Sequence, residues 1–217
     1  IAAANRIRSE EKIPGEHFTV GHWIGSQGSP NEIKPEDLPQ IEDDAKTKKY
    51  QKIFECPNPG CGSRDVHMEF NRDLWSLQHV CPSCGVLPIY IVDHELYRHL
   101  PSVVVGTVDK LAVFGSQLRF ANLLGWTRAY CPTHGYVPED KCGAHGCRTK
   151  IISKLPIKDP VPSLHVQDEL HLLKEDLGAF DSHYETAIME MQREVPGSKY
   201  PWKTIAATAT IEEYERH

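Results

Sequence analysis

The sequence predicts an α/β protein with a largely parallel sheet, interrupted by two cysteine-rich modules. Three observations carry this. Strand-like and helix-like runs alternate along most of the chain, the order that lays helices on a parallel sheet. The cysteines fall in close pairs: Cys56-x4-Cys61, Cys81-x2-Cys84, Cys131-x2-His134 and Cys142-x4-Cys147. Three separate strand ends carry polar groups: Gly106-Thr107, Asp168-Glu169 and Thr208-Ala209-Thr210. Ligand crevices of open α/β sheets lie at the carboxyl ends of strands.

The chain has 217 residues, enough for one or two domains. Its 40% hydrophobic and 25% charged residues suit a soluble globular protein. No apolar run approaches the roughly 18 residues of a membrane span, and no signal peptide opens the chain, so no membrane partner is expected. A net charge of −6 argues against a uniformly basic nucleic-acid coat and leaves room for a local basic groove.

Residues 1–13 read as the end of a helix, stopped by Pro14 and Gly15. "HFTVGHWIG" (His17 to Gly25) is β-branched and aromatic and reads as a strand. Residues 26–50 read as loop with one short acidic helix, and Lys46, Lys48 and Lys49 as a solvated cluster. Between Cys61 and Cys81, "RDVHMEF" and "LWSLQHV" flank "NRD" as a hairpin. "LPIYIV" is a strand and "HELYRHL" a helical turn. Val103, Val104 and Val105 form a continuous apolar run, expected of a parallel strand buried on both faces. A helix is predicted after Thr107 to about Leu124. "PSLHVQ" is a strand running into the acids, and 170–194 a long helix broken by Pro196 and Gly197. Its Leu172, Leu173, Leu177, Phe180, Tyr184, Ile188 and Met191 make a core-facing stripe. "WKTIAATAT" is the last strand, and "IEEYERH" opens another helix.

Pairs two to four residues apart, close to Gly or Pro, fold a backbone around a tetrahedral metal. Cys56, Cys61, Cys81 and Cys84 therefore read as a zinc ribbon, against the plainer alternative of four buried thiols. Cys131, His134, Cys142 and Cys147 read as a second zinc site, with His145 as an alternative ligand. Four protein ligands leave no open position, so both sites are expected to be structural. This thiol usage favours a reducing cytoplasm over disulfides. On the hairpin, Arg64, His67, Arg72 and Trp75 offer nucleic-acid contacts, but Asp65, Glu69 and Asp73 dilute them. Bracing of the fold or docking of a partner protein is favoured. His22, His67, His79, His94 and His99 read as ordinary surface or strand residues.

Asp168 and Glu169 admit two readings. One acid can hold magnesium while its neighbour activates a water. Alternatively the pair opens the following helix, where acids suit the N-terminus. Taken alone, the dipeptide favours the second.

The surroundings of the dipeptide point the other way. "QDELH", preceded by an apolar strand and followed past the long helix by "ATAT", resembles the DExH box and SAT-type motif of superfamily 2 helicases. "VVVGTVDKLA" is similar to the strand and Gly-Thr element that precedes the box. The run beginning "VQDELHLL", with "IAATATI", is most similar to bacterial helicases of the DISARM anti-phage type and related repair helicases. "FTVGHWIGSQGSPN" resembles their segment after the first nucleic-acid-contacting motif.

The resemblance implies a partial RecA-like lobe made of residues 1–53, 87–130 and 151–217, with zinc insertions at 54–86 and 131–150. It places Asp168 at magnesium and has Glu169 activate the attacking water. His171 would couple the nucleotide site to the nucleic-acid track, and Thr208 and Thr210 would relay hydrolysis. Thr208 stands where Ser is usual, which keeps the hydroxyl. Thr107 and Lys110 would contact nucleic acid, with Asp109 nearby. ATP and magnesium are implied as cofactors of an intact parent, DNA as a partner, and a further protein of a defence complex as another. No GxxxxGKS/T motif occurs. The phosphate-binding loop is therefore expected before Ile1 and a second motor lobe after His217, and this stretch alone is not expected to hydrolyse ATP. Two rival readings are a zinc-ribbon binding module on a non-hydrolysing scaffold and a magnesium-dependent phosphatase or nuclease. The latter needs more converging carboxylates than one pair.

Overall fold

Extended backbone suits the β-branched and aromatic runs, and most of them pair. The computed structural model describes residues 1–25, 28–113, 115–137, 141–153, 161–169, 175–198 and 202–207. In chain order the elements are α1 (Ala2–Glu10), β1 (Val20–Trp23), α2 (Leu38–Ile41), α3 (Asp44–Thr47), β2 (His67–Asn71), β3 (Ser76–Cys81), β4 (Gly85–Val86) and β5 (Ile89–Tyr90). They continue with α4 (Asp93–His99), β6 (Val103–Gly106), β7 (Ala129–Cys131), β8 (Gly135–Val137), β9 (Leu164–Gln167), α5 (Glu175–Arg193) and β10 (Lys203–Ala206).

The class is mixed α/β. A parallel sheet of order β5-β1-β6 carries Val20 opposite Ile89 and Val103, and Trp23 opposite Gly106. A second parallel pair, β9-β10, sets Leu164 opposite Lys203 and Gln167 opposite Ala206. The sequence anticipates one parallel sheet; among the described residues there are two parallel sheets. Each cysteine module has its own antiparallel ribbon, β2-β3-β4 in the first and β7-β8 in the second.

One apolar cluster joins Trp23 of the sheet to Leu96 and Tyr97 of α4, to Phe120 and Leu124, and to Ile188 of α5. Trp126 ties into the same region by donating its indole N–H to the Met191 carbonyl at 3.1 Å. A second cluster packs Ile33 and Ile41 on Met68 and Leu77 of the ribbon and on Ile91 and Val92. Residues 28–50 consequently carry more regular structure than the predicted loop. The Asp43 carboxylate caps α3 by accepting from the Ala45 and Lys46 N–H groups, and Asp37 accepts from the Lys34 N–H.

Three further expectations are corrected. The helix predicted to run to Leu124 is replaced by two 3-10 segments, Val108–Val113 and Leu118–Leu124. Gly115 between them has φ +82, and the N–H groups of Ser116 and Gln117 both turn back to the Val113 carbonyl, closing the first segment. β6 is parallel as predicted but is exposed along its length, Val105 being 56% exposed; among the described residues it is an edge strand, paired with β1. The histidines, expected to be surface or strand residues, are in part neither: His94 and His99 lie in α4 and are half-buried. His79 is fully buried and accepts the Lys52 N–H at Nε2, and His99 stacks on Tyr90 at 4.6 Å. No helix among the described residues is long and apolar enough to cross a membrane.

Candidate metal centres and the strand-end acids

The cysteine spacing produces the same local turn several times. The N–H of Cys84 returns to the Cys81 carbonyl, that of His134 to Cys131 and that of Cys147 to Ala144, each at 3.2 Å. Such turns aim ligand atoms inward. Cys56, Cys61, Cys81 and Cys84 bring their ligand atoms within 4.8 Å of one another, and so do Cys131, His134, Cys142 and Cys147. Thiolates on a tetrahedron with metal–sulfur bonds of ~2.3 Å are about 3.8 Å apart. The Cys61–Cys81 and Cys131–Cys147 sulfurs stand 3.7 and 3.8 Å apart. A thiolate and an imidazole nitrogen on the same tetrahedron are about 3.6 Å apart. Cys131 Sγ and His134 Nδ1 are separated by 3.5 Å. Both groups could hold a metal ion, and their chemistry and size fit zinc.

The second centre has an orienting partner. His134 Nε2 donates to the Asp73 carbonyl at 3.1 Å, leaving Nδ1 as the ligand atom. Asp73 lies in the turn of the β2-β3 hairpin, so the first module holds the second module's histidine. His145, the alternative ligand, instead packs against Trp75 with ring centroids 5.2 Å apart. Gly135, next to His134, has φ +85, and a Cβ there would lie 2.4 Å from the Arg98 carbonyl oxygen. Only glycine lets the knuckle sit this close to α4.

The thiols divide electrostatically. Burial pushes Cys56 up to about 12, and Cys142 likewise to about 12. Burial also raises Cys81, but the Ser83 and Cys84 N–H groups and the thiols of Cys56 and Cys61 outweigh it and bring Cys81 down to about 7. In the second centre burial is again opposed, chiefly by the backbone and hydroxyl of Thr149, and Cys147 is lowered. Each centre thus pairs one lowered thiol with raised ones, Cys56 and Cys61 in the first and Cys142 in the second, and a divalent cation offsets the cost of ionising the raised thiols.

Helix α4 joins the modules, a role its residue pattern did not disclose. Glu95 Oε1 accepts the Leu77 N–H of β3 at 2.8 Å, and Arg98 Nη2 donates to the Trp75 carbonyl at 3.1 Å. Burial lifts Glu95 to about 7 despite the Leu77 bond and the Arg98 charge. The only sequence signal was an acid and a base three apart in a short helix.

The hairpin's proposed nucleic-acid contacts are largely occupied. Arg72 forks onto Glu42, Nη2 to Oε2 at 2.7 Å, and Arg64 pairs with Glu55 at 3.2 Å. The Trp75 indole N–H donates to the Ile33 carbonyl. These contacts favour bracing. Lys110 requires a correction. Its ammonium is buried, 2.7 Å from Asp93 Oδ2 and 3.2 Å from Asn31 Oδ1, so it is not presented to a phosphate. Thr107 is exposed just past β6, its N–H donating to the Trp23 carbonyl.

Asp168 and Glu169 are exposed at the end of β9. The Glu169 N–H donates to Asp168 Oδ1 at 2.9 Å, and Glu169 has φ +53, a conformation uncommon outside glycine. The pairing of β9 with β10 continues to the Ala207 N–H, which donates to the Gln167 carbonyl at 2.8 Å. His171, Thr208 and Thr210 lie outside the described residues, as do the side chains of Leu172, Leu173, Leu177 and Phe180.

Fold and sites together define a mixed α/β chain, with parallel strands that end in polar groups and two four-ligand centres suited to metal. No protein-family model matches it. The chain is similar to the DISARM protein DrmA of Bacillus paralicheniformis (strain ATCC 9945a / NCIMB 11709 / CD-2), with 34% identity over 238 residues. That match takes in 99% of this chain and 21% of the relative, so the chain spans about one fifth of the relative's length.

Proposed function

We propose that this chain is the metal-braced part of the first motor lobe of an ATP-driven DNA helicase or translocase in an anti-phage defence system, with zinc in both centres. The observation that carries the reading is the parallel, in-register pairing of β9 with β10. The strand leading into "DELH" and the strand leading into "ATAT" end side by side, at Gln167 and Ala206. The end-to-end similarity to a DISARM protein supports the same reading.

ATP and magnesium supply the hydrolysable bond and its charge neutralisation when bound. Asp168 is assigned to the metal and Glu169 to orienting and deprotonating the attacking water. His171, Thr208 and Thr210 are assigned to coupling between the nucleotide and the DNA, and exposed Thr107 to a backbone phosphate. The zinc centres hold the β2-β3 and β7-β8 ribbons against α4 and keep the lobe rigid.

The test is DNA-stimulated ATP hydrolysis by the full-length protein beside its Glu169→Gln variant. Turnover is expected to fall by about 100-fold or more, as for loss of a general base, with nucleotide binding retained. Undiminished turnover in the variant would sink the assignment of Glu169. Absence of turnover in the folded, zinc-loaded parent would favour a zinc-dependent binding scaffold.

A further inference from the structure

Between the two metal modules lies a cleft of about 260 Å³ that the motor reading does not use. Its walls come from the first module (Trp75), from α4 (Tyr97, Arg98) and from the second module (Tyr136, Lys141, His145). Three buried polar atoms on its lining residues lack hydrogen-bond partners: Glu95 Oε2, Arg98 Nε and Asn122 Oδ1. Arg98, 9% exposed, spends Nη2 on the Trp75 carbonyl, but its Nε is unpartnered. Asn122, 1% exposed, spends Nδ2 on the Tyr97 carbonyl, but its Oδ1 is unpartnered. A buried group left unpaired typically costs 1–3 kcal/mol, so such groups need an explanation.

The unpaired atoms are one donor, Arg98 Nε, and two acceptors, Asn122 Oδ1 and Glu95 Oε2, flanked by aromatic rings. Each acid of the cleft is engaged through one oxygen. Glu32 Oε1 lies 3.1 Å from His94 Nδ1 and 3.7 Å from Arg119 Nη1, and Glu95 Oε1 is bonded to the Leu77 N–H while its Oε2 is unpaired. Lys34 and Lys141 stand exposed on the lining. A ligand that fits offers a flat ring, an edge that both donates and accepts, and a negative group at the rim. Its volume is just below the roughly 300 Å³ at which small-ligand sites usually begin, room for one ring system rather than a stacked run.

We propose that this inter-module cleft receives one unstacked nucleotide of a bound single strand. The base stacks against the Trp75–His145 wall, its edge meets Asn122 Oδ1 and Arg98 Nε, and its phosphate lies by Lys34 and Lys141. The inference rests on the nucleic-acid reading above and gives the zinc modules a second task, shaping a base pocket. Stacking of single bases on aromatic side chains is sequence-tolerant and suits a protein that tracks along a strand.

The experiment is photocrosslinking of the zinc-loaded full-length protein to single-stranded DNA containing 5-iodouracil, with peptide mapping, alongside anisotropy titrations. His145→Ala and Lys141→Glu change exposed side chains, and zinc content checks that the modules stay folded. Asn122→Leu removes one unpaired acceptor. Crosslinks are expected at Trp75, Tyr136 or His145. His145→Ala is expected to weaken binding by roughly 5-fold or more, as for loss of one stacking partner, and Lys141→Glu to weaken it with a shallower salt dependence. Crosslinks elsewhere, with affinities unchanged in all three variants, overturn the cleft assignment while leaving the nucleic-acid reading intact. Failure of the zinc-loaded protein to bind any single strand overturns both.

Discussion

The metal modules and the β9-β10 pair are held in opposite ways. Around the modules, side chains are tied from several directions. Cys81 and Cys131 are fully buried, α4 bonds to the backbone of the first module, and the turn at Asp73 orients the histidine of the second. The β9-β10 pair has Leu164, Val166 and Ile205 at least half exposed, and Asp168 and Glu169 open beyond it. Among the described residues its supports include His165 stacked on Trp202 at 4.7 Å and Glu185 of α5 beside His165 at 3.3 Å. Ligand crosslinks can order a small ribbon from its own residues. A strand-end acid pair is ordered only by what packs around it, and among the described residues its apolar neighbours are half exposed. The difference places stability at one end of the chain and the proposed chemistry at the other.

The largest effect that would break this contrast is loss of metal. Structural zinc contributes apparent binding energies of about 10–16 kcal/mol in small zinc modules, far more than a hairpin of this size can lose. Cys81→Ser is expected to release one zinc equivalent and collapse amide protection across β2, β3 and β4. Native-state hydrogen exchange with metal analysis checks this. Because His134 is held by the Asp73 carbonyl, the second centre is expected to weaken as well. Full zinc content and unchanged protection would remove the modules from their bracing role.

What was legible in the sequence follows the same divide. Ligand spacing is a local property, so "CPSCG" and "CPTHG" announced their turns and the structure gathers the eight residues chosen. The choice of His134 over His145 was legible only as a preference; Trp75, far away in sequence, occupies His145. The parallel pairing of β9 with β10 followed from alternation and short apolar runs. The depth of β6 did not, because three valines in a row describe a strand meant to be covered without saying what covers it. Lys110 was misread for a related reason. Its place after a Gly-Thr strand end suggested an exposed phosphate contact, while its ion pair comes from Asp93, 17 positions away, and is invisible to local pattern. The helix to Leu124 failed at Gly115, a breaker on the page whose φ +82 ends the first turn.

That misreading supplies the next test. The Lys110 and Asp93 side chains are 6% and 3% exposed. Burial pushes the Asp93 carboxyl up, against the pull of Lys110. Removing one member of a buried pair typically costs about 3–5 kcal/mol. Lys110→Met is expected to fall in that range by denaturant unfolding, whereas Thr107→Ala, exposed three residues earlier, should stay within about 0.5 kcal/mol. A mild Lys110→Met with reduced DNA binding would restore Lys110 to the nucleic-acid track and detach it from the core.

The smallest expected effect concerns acid. Burial lowers His79 and His94 to about 4 and His99 to about 3, with the Lys52, Arg119 and Arg98 charges respectively adding to the shift. The folded protein therefore resists protonating rings that the unfolded chain protonates near 6.5. Stability is full above about pH 6.5 and falls as pH drops toward 4, by up to about 1.4 kcal/mol per pH unit for each ring. Acid also protonates the thiolates, so a bare pH titration cannot separate ring from metal. His99→Phe does: it preserves a ring against Tyr90 and removes one titration. Unfolding of the zinc-loaded variant between pH 6.5 and 5 should show a slope shallower by up to about 1.4 kcal/mol per pH unit, with zinc release at an unchanged pH. An identical slope would assign the acid sensitivity of this region to the metal centres alone, and make the buried rings passengers of the fold that zinc secures.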